Sequence, residues 1–429
     1  MPVCWETSPR VKTSPLSGAL AGESLADDVA PCVPVRPMSG ADGCQRLDER
    51  VLSAIDAGIF PAASLAVMHR NSLVINRAWG WVDPAEKMHR TSSQTLFDCA
   101  SLTKLFTTTV FLQLVSEGKI KLEDRLSAVV PEFSAERLRP IVGQQDPHTL
   151  APIAASAEAG QNWVDAETVT FQHLLTHTAG LPAWRALFFE VRQPDPLIED
   201  HEERWRRLLP FICRYPFHSV PASQLVYSDL GMILLGLAIT RLTRRTLPEA
   251  LEEYVSQPLK LGNICFQPRL NGRECVEIVP TEYDDRWRKR RIWGEVHDEN
   301  AAAMGGVAGH AGLFGTAEDV VRFGEAWRTN AIDLNLELHQ KAIQEQAASA
   351  SEKRGLGWEL YTAQGSSAGD HFHETAYGHT GFTGTSLWID PERELVVALL
   401  TNRVYRGRHE EGIHEFRRQM HDLLTEVMD

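Results

Sequence analysis

The sequence predicts an α/β (α+β) fold in which an antiparallel sheet, flanked by helices, carries an inserted all-α domain. Three observations predict it. Two strand signals stand close together near the start, between Ala63 and Trp81. Strand signals then return only beyond Gly312, and the long stretch between is helical in pattern. A single sheet assembled from both ends of the chain, with the terminal helices packed on it, reconciles all three.

Residues 1–45 carry Pro2, Pro9, Pro15, Pro31, Pro34 and Pro37 among many Ser, Gly and Ala. Such a composition buries little apolar surface and predicts a disordered leader. Order is expected near Arg46, where Leu47, Val51, Leu52 and Ile55 recur at helical spacing. Ala63–Met68 reads as a buried strand, His69-Arg70-Asn71-Ser72 as its turn, and Leu73–Trp81 as the return strand. A helix opens at Ser101. It is apolar almost all round (Leu102, Leu105, Phe106, Val110, Phe111, Leu112, Leu114), as only a helix inside the protein can be, and Gly118 suits its C-terminal cap. Shorter helices follow at Phe171–Leu175, Leu230–Leu242 and Leu247–Leu259, with a loop over Val142–Gln161. Late in the chain come a short strand at Gly312–Gly315 and a helix over Ala317–Trp327 with Thr316 as its N-cap. A strand at Leu356–Tyr361 and a hairpin of Thr385–Ile389 with Leu395–Thr401 around Asp390-Pro391-Glu392-Arg393 come next. Ile413, Phe416, Met420, Leu423, Leu424 and Val427 share one face of a closing helix. The expected division is therefore a sheet domain over 46–118 and 305–429 and a helical insertion over 119–304.

Composition narrows the function. The 429 residues hold 43 Lys+Arg against 57 Asp+Glu, a net charge of −14, so no nucleic-acid partner is expected. The densest basic run, Arg286 to Arg291, follows Glu282, Asp284 and Asp285 and reads as a self-neutralising surface. No stretch approaches the roughly 18 apolar residues of a membrane span. The seven Cys are scattered without a CxxC pair, which suggests reduced thiols; with no export signal in view, a cytoplasmic location is expected. Neither H-E-x-x-H nor a Cys/His quartet occurs, so no metal and no cofactor is expected, His371, His373 and Glu374 notwithstanding. Gly365-Ser366-Ser367-Ala368-Gly369 spells a nucleophile-elbow pattern but lacks the strand before it and the helix after it.

Three short motifs carry the chemistry. The first is Ser101-Leu102-Thr103-Lys104: a spacing of three on a helix brings both side chains to one face. A serine hydroxyl is a weak nucleophile until its proton is taken. A lysine buried in an apolar helix can take it, because desolvation disfavours the ammonium. The second is Tyr227-Ser228-Asp229, just before an apolar helix. The third is His379-Thr380-Gly381, followed by Phe382-Thr383-Gly384.

In this order the motifs resemble those of the serine β-lactamase and penicillin-binding-protein superfamily. Leu174–Pro182, Gly306–Phe314 and Gly378–Gly384 are similar to its class-C-like branch of D-Ala-D-Ala carboxypeptidases and esterases, and His297-Asp298-Glu299-Asn300 resembles a segment of the same branch. The resemblance implies a β-lactamase/transpeptidase-like fold. It implies an acyl-enzyme on Ser101, Lys104 as proton acceptor, Tyr227 as proton relay, and an oxyanion hole from the amides of Ser101 and Phe382. Asp229, His379, Thr380 and Gly381 would meet the substrate, a small molecule, peptide or ester. Two positions depart from the pattern. Asp229 replaces Asn, and an ionised Asp beside Lys104 would hold it protonated. His379 replaces Lys, so carboxylate anchoring should weaken and become pH-dependent. The expected function is a serine hydrolase of amides or esters. The alternatives are a non-catalytic ligand-binding relative, or an acyltransferase using the same intermediate.

Overall fold

The computed structural model describes residues 41–146, 151–154, 162–190, 201–408 and 411–428. The expected leader lies for the most part outside them; the opening helix, Ala41–Asp56, starts earlier than its apolar repeat suggested. The main sheet has eight strands, all antiparallel to their neighbours. From one edge to the other they run 347–348, 353–354, 359–360, 377–380, 386–390, 395–401, 62–69 and 72–80. The early hairpin pairs with the last strand (Ala63 opposite Thr401, Met68 opposite Val396), which joins the two ends of the chain in one sheet.

Both faces of this sheet are covered, so its central strands are apolar at consecutive positions. Side chains still alternate between two cores. Ala63, Leu65, Val67, Val397 and Leu399 face the opening helix and the C-terminal helix, Ile413–Met428. Ala62, Ala66, Val396, Ala398 and Leu400 face the other way. That second core holds the motif helix, Thr103–Ser116, the helix Ala317–Arg328 and the helix Asp229–Thr243, so it runs from the sheet into the inserted block without interruption. A small three-stranded sheet (97–98, 313–315, 265–266) sits between the two parts.

Two expectations need amendment. The predicted strand over Leu356–Tyr361 shrinks to Glu359–Leu360, because Gly357 takes φ +77° and turns its N–H to the carbonyl of Leu175. The inserted block is not purely helical: strands 138–140 and 163–165 pair, as do 144–145 with 152–153 and 283–284 with 290–291. Each ladder has only two or three residues per strand, too short for a period-2 signal. Among the described residues, no helix is long and apolar enough to cross a membrane.

Candidate active site

Ser101 does not open the long helix. It lies in a 3₁₀ turn, Ala100–Leu102, that feeds into it. Residues three apart eclipse in that geometry, and Lys104 Nζ stands 2.8 Å from Ser101 Oγ. Ala100, just before the serine, is held at φ +47°, a left-handed conformation that a non-glycine residue adopts at a cost of about 1 kcal/mol or more. Asp98 holds it there: one carboxylate oxygen accepts from the Ala100 N–H (2.8 Å), the other from that of His297 (2.6 Å).

Lys104 is 1% exposed. Its ammonium meets the Asp229 carboxylate at 2.8 Å and donates to the His310 carbonyl at 3.1 Å. Burial alone would push its pKa down. The Asp229 carboxylate and the Tyr227 phenol overrule burial, and the net shift is upward. The setting therefore favours the ammonium, as the Asp-for-Asn departure foreshadowed. Asp229 is at the first position of the helix Asp229–Thr243, where the backbone dipole also suits a carboxylate.

Tyr227 stands two residues before that helix, just ahead of its cap. Ser228 caps the helix, accepting from Gly231 N–H while its hydroxyl donates to Pro182 C=O at 2.7 Å. His177, in the Leu174–Pro182 stretch, sets the segment: its carbonyl accepts from Val226 N–H (2.8 Å) and its Nδ1 from Ser228 N–H (3.1 Å). Burial drives the His177 pKa well below 6.5, which keeps Nδ1 free to accept. The Tyr227 ring lies 4.9 Å from Lys104 Nζ and lines the same cleft as Ser101; burial raises the phenol's pKa and the Lys104 ammonium opposes that rise.

The third motif closes the site. Thr383 Oγ1 donates to Asp98 C=O (2.7 Å) and Thr385 Oγ1 to Cys99 C=O (3.0 Å), which lashes the 381–385 turn to the segment before Ser101. Gly381 is needed for this approach, since a Cβ there would stand 2.0 Å from Thr385 Oγ1 and 2.7 Å from Cys99 O. The Gly306–Phe314 stretch owes its glycines to a similar constraint. A Cβ on Gly309 would lie 2.2 Å from Met232 O, in the helix that carries Asp229.

Ser101, Tyr227, Asp229, His379, Thr380, Gly381 and Phe382 thus line one cleft of about 470 Å³, with Lys104 beneath it. His379 calls for a correction. It is 2% exposed, and its Nδ1 bonds the Thr380 carbonyl at 2.8 Å. Burial, then Arg354 and Lys104, drive its pKa well below 6.5, so it is neutral near pH 7 and does not supply a titrating anchor for an anionic substrate. The positive charge beside the motif belongs to Arg354. That guanidinium is 4% exposed, pairs with Glu352, lies 5.1 Å from the Tyr227 ring, and keeps Nη1 without a hydrogen-bond partner. Arg354, Arg403 and Arg417 were not singled out by the sequence, because a lone arginine has no pattern to betray it.

The segment His297–Asn300 does border the cleft. Asp298 accepts from His310 Nε2 at 2.9 Å, and Asp229, Asp298 and His310 offer ligand atoms within 4.8 Å of one another. Lys104 and the Ala301 N–H already meet this charge from either side. Glu282, next to the cleft residues His297 and Arg408, lies 3.0 Å from His297 Nε2 and pairs with Arg408 at 2.5 Å. Burial would raise its pKa, but those two partners bring it down to about 2. A depressed carboxyl stabilises the fold above its unfolded value near 4.3 and loses that contribution as pH falls toward 2. About 3 kcal/mol is at stake. Urea midpoints should therefore drop steeply between pH 5 and 2 in the wild type and less steeply in E282Q; parallel curves would remove Glu282 from the acid response.

The two decoys have structural explanations. Ser367 Oγ accepts from Trp388 Nε1 at 3.0 Å in a buried turn, with no strand-to-helix elbow around it. Cys99 is fully buried, which pushes its thiol pKa well above 9 and leaves it inert.

Comparison with known proteins agrees with this fold. The family model described as Beta-lactamase matches residues 47–420. A putative D-alanyl-D-alanine carboxypeptidase of Escherichia coli (strain K12) is 27% identical over 383 residues, covering 83% of this chain and 82% of its own. An N-acetylmuramyl-L-alanine amidase of Bacillus subtilis (strain 168) is 29% identical, covering 84% and 80%. Among solved structures, EstCE1, described as a hydrolase with promiscuous acyltransferase activity, superposes with a TM-score of 0.66 at 20% identity, covering 89% of this chain and 98% of its own. An octameric penicillin-binding protein homologue from Pyrococcus abyssi gives 0.63 at 17% identity, covering 89% and 77%. With a family model spanning nearly all of the described residues, and three motifs meeting in one cleft, this chain belongs to the β-lactamase family.

Proposed function

We propose that the chain is a serine hydrolase that cleaves an ester or amide through an acyl-enzyme on Ser101. The observation that carries this reading is the 2.8 Å contact of Ser101 Oγ with Lys104, in a cleft that Tyr227, delivered from more than a hundred residues away, also lines. Lys104 and Tyr227 lie close and feel each other's charge, so they titrate as a pair. The pair accepts the Ser101 proton once it has given up one of its own. Ser101 Oγ then bonds the acyl carbon, and the amides of Ser101 and Phe382 take the oxyanion. The carbon–leaving-group bond breaks as the proton passes from the pair to the leaving atom. Water repeats the sequence on the acyl-enzyme and restores Ser101. Lys104 acts here as the cation that steadies the Tyr227 oxygen, not as a neutral base on its own, because the Asp229 carboxylate opposes its deprotonation.

A pH prediction follows. A carboxylate beside the pair favours its protonated form, so removing that charge makes the pair easier to deprotonate. Asp229→Asn should move the ascending limb of kcat/KM for a neutral ester to lower pH, by about one unit or more. A limb that stays in place would show that Asp229 does not set the pair's protonation.

Arg354, which lines the cleft, offers a cation for an anionic group on the substrate. In Arg354→Met, kcat/KM for an anionic p-nitrophenyl ester is expected to fall about 10- to 100-fold, with neutral esters near wild type. The ratio should be flat across pH 6–8, since His379 stays neutral. Equal losses for both esters would deny Arg354 this selectivity. Acyl transfer is the second reading, favoured by the fold shared with EstCE1. Added alcohol that partitions the acyl-enzyme away from hydrolysis supports it, and no partitioning excludes it.

A further inference from the structure

We propose that Arg417, on the C-terminal helix, is a positioning residue that orients and polarises the Gly381–Phe382 peptide, whose N–H is one half of the oxyanion trap. This rests on the reading above, in which Phe382 supplies that donor. In a planar trans peptide the C=O of one residue and the N–H of the next point in opposite directions. Whatever grips the Gly381 carbonyl therefore aims the Phe382 N–H.

Two donors grip it: Arg417 Nη2 at 3.0 Å and the Gly384 N–H at 3.0 Å. The same Nη2 reaches the Thr385 carbonyl at 2.6 Å, which in turn accepts from the Gly381 N–H at 2.7 Å. One guanidinium thus spans both ends of the turn. On the far side of Phe382, Arg403 Nε donates to its carbonyl at 2.9 Å, and the Arg403 guanidinium stacks 4.6 Å from its ring. Both carbonyls flanking the Phe382 N–H are consequently held by cations.

Arg417 itself is unusual. It is 6% exposed, and among the described residues it forms no ion pair with a carboxylate; its Nε has no hydrogen-bond partner. A buried, unpaired cation is costly unless its field is used. Burial lowers its pKa only to about 9, so it remains charged near neutrality. A charge-assisted bond to a carbonyl draws electron density toward oxygen and makes the N–H of the same peptide a stronger donor. The developing oxyanion would feel that donor and the fixed positive charge behind it, neither of which has to reorganise during the reaction.

A merely structural pin and a polarising cation differ in a spectroscopic readout. The acyl-enzyme formed from a slowly deacylating cinnamoyl ester carries its carbonyl in the trap, and the carbonyl stretch reports the strength of the donors. In Arg417→Met the acylation rate is expected to fall roughly 10- to 100-fold, less than or comparable to the loss of a whole oxyanion donor, with KM little changed. The stretch should move to higher wavenumber, and Arg417→Lys should fall between the two. Should R417M not fold, R417K decides by the same rate and stretch. An acyl carbonyl at one frequency in wild type and variants, whatever happens to the rate or the melting temperature, overturns the proposal alone. No acyl-enzyme in the wild type overturns both this inference and the reading it rests on.

Discussion

Ser101→Ala is expected to abolish ester turnover, by about 10⁴-fold or more, while the melting temperature stays near wild type. In the proposed mechanism the hydroxyl is the atom that bonds the acyl carbon, and no neighbouring group can replace it. Cys99 is two residues away, but burial holds its thiol protonated. Ser366 and Ser367 are buried in a separate turn and engaged in local bonds. Little is lost from the fold, because Lys104 keeps the Asp229 carboxylate and the His310 carbonyl when Ser101 Oγ is gone. p-Nitrophenyl acetate turnover and a thermal melt on the same preparation check both halves. Retained turnover would remove Ser101 from the chemistry.

Tyr227→Phe is the second large effect. The substitution deletes one oxygen and keeps the ring, which packs 4.6 Å from His177 and 5.7 Å from His379. Its cost therefore falls on proton transfer. A general acid–base group contributes about 10²–10⁴ in rate, and acylation should slow by an amount in that range. Stopped-flow release of p-nitrophenolate separates acylation from deacylation; both should slow, since the same oxygen serves both half-reactions. A burst rate equal to wild type would assign the proton to another group. Lys104 is the obvious rival, and its ion pair with Asp229 is the reason the rival is not preferred.

Much of this site is visible in the sequence because its chemistry is packed into short segments. Ser101 and Lys104 share one turn, and Tyr227 and Asp229 sit at one helix start. His379 to Phe382 form one strand end and turn, so the order of three motifs points to one cleft. The central strands are legible for a similar local reason: Ala62–His69 and Leu395–Thr401 are mostly apolar runs of strand length. What the sequence does not disclose depends on contacts between distant segments. The charge on Lys104 is decided by Asp229, and the neutrality of His379 by burial and by Arg354. Arg417 becomes meaningful only when the last helix lies behind the 381–385 turn. The small ladders at 138–140 with 163–165 and 144–145 with 152–153 escape detection because two or three residues show no alternation.

The most direct measurement is intact-mass spectrometry of the chain after reaction with a fluorophosphonate, followed by peptide mapping. A single adduct on the peptide containing Ser101, lost in Ser101→Ala and formed far more slowly in Tyr227→Phe, is the predicted result. An unmodified wild-type mass, or an adduct mapped to another residue, would contradict a nucleophile at Ser101 served by Tyr227 and Lys104.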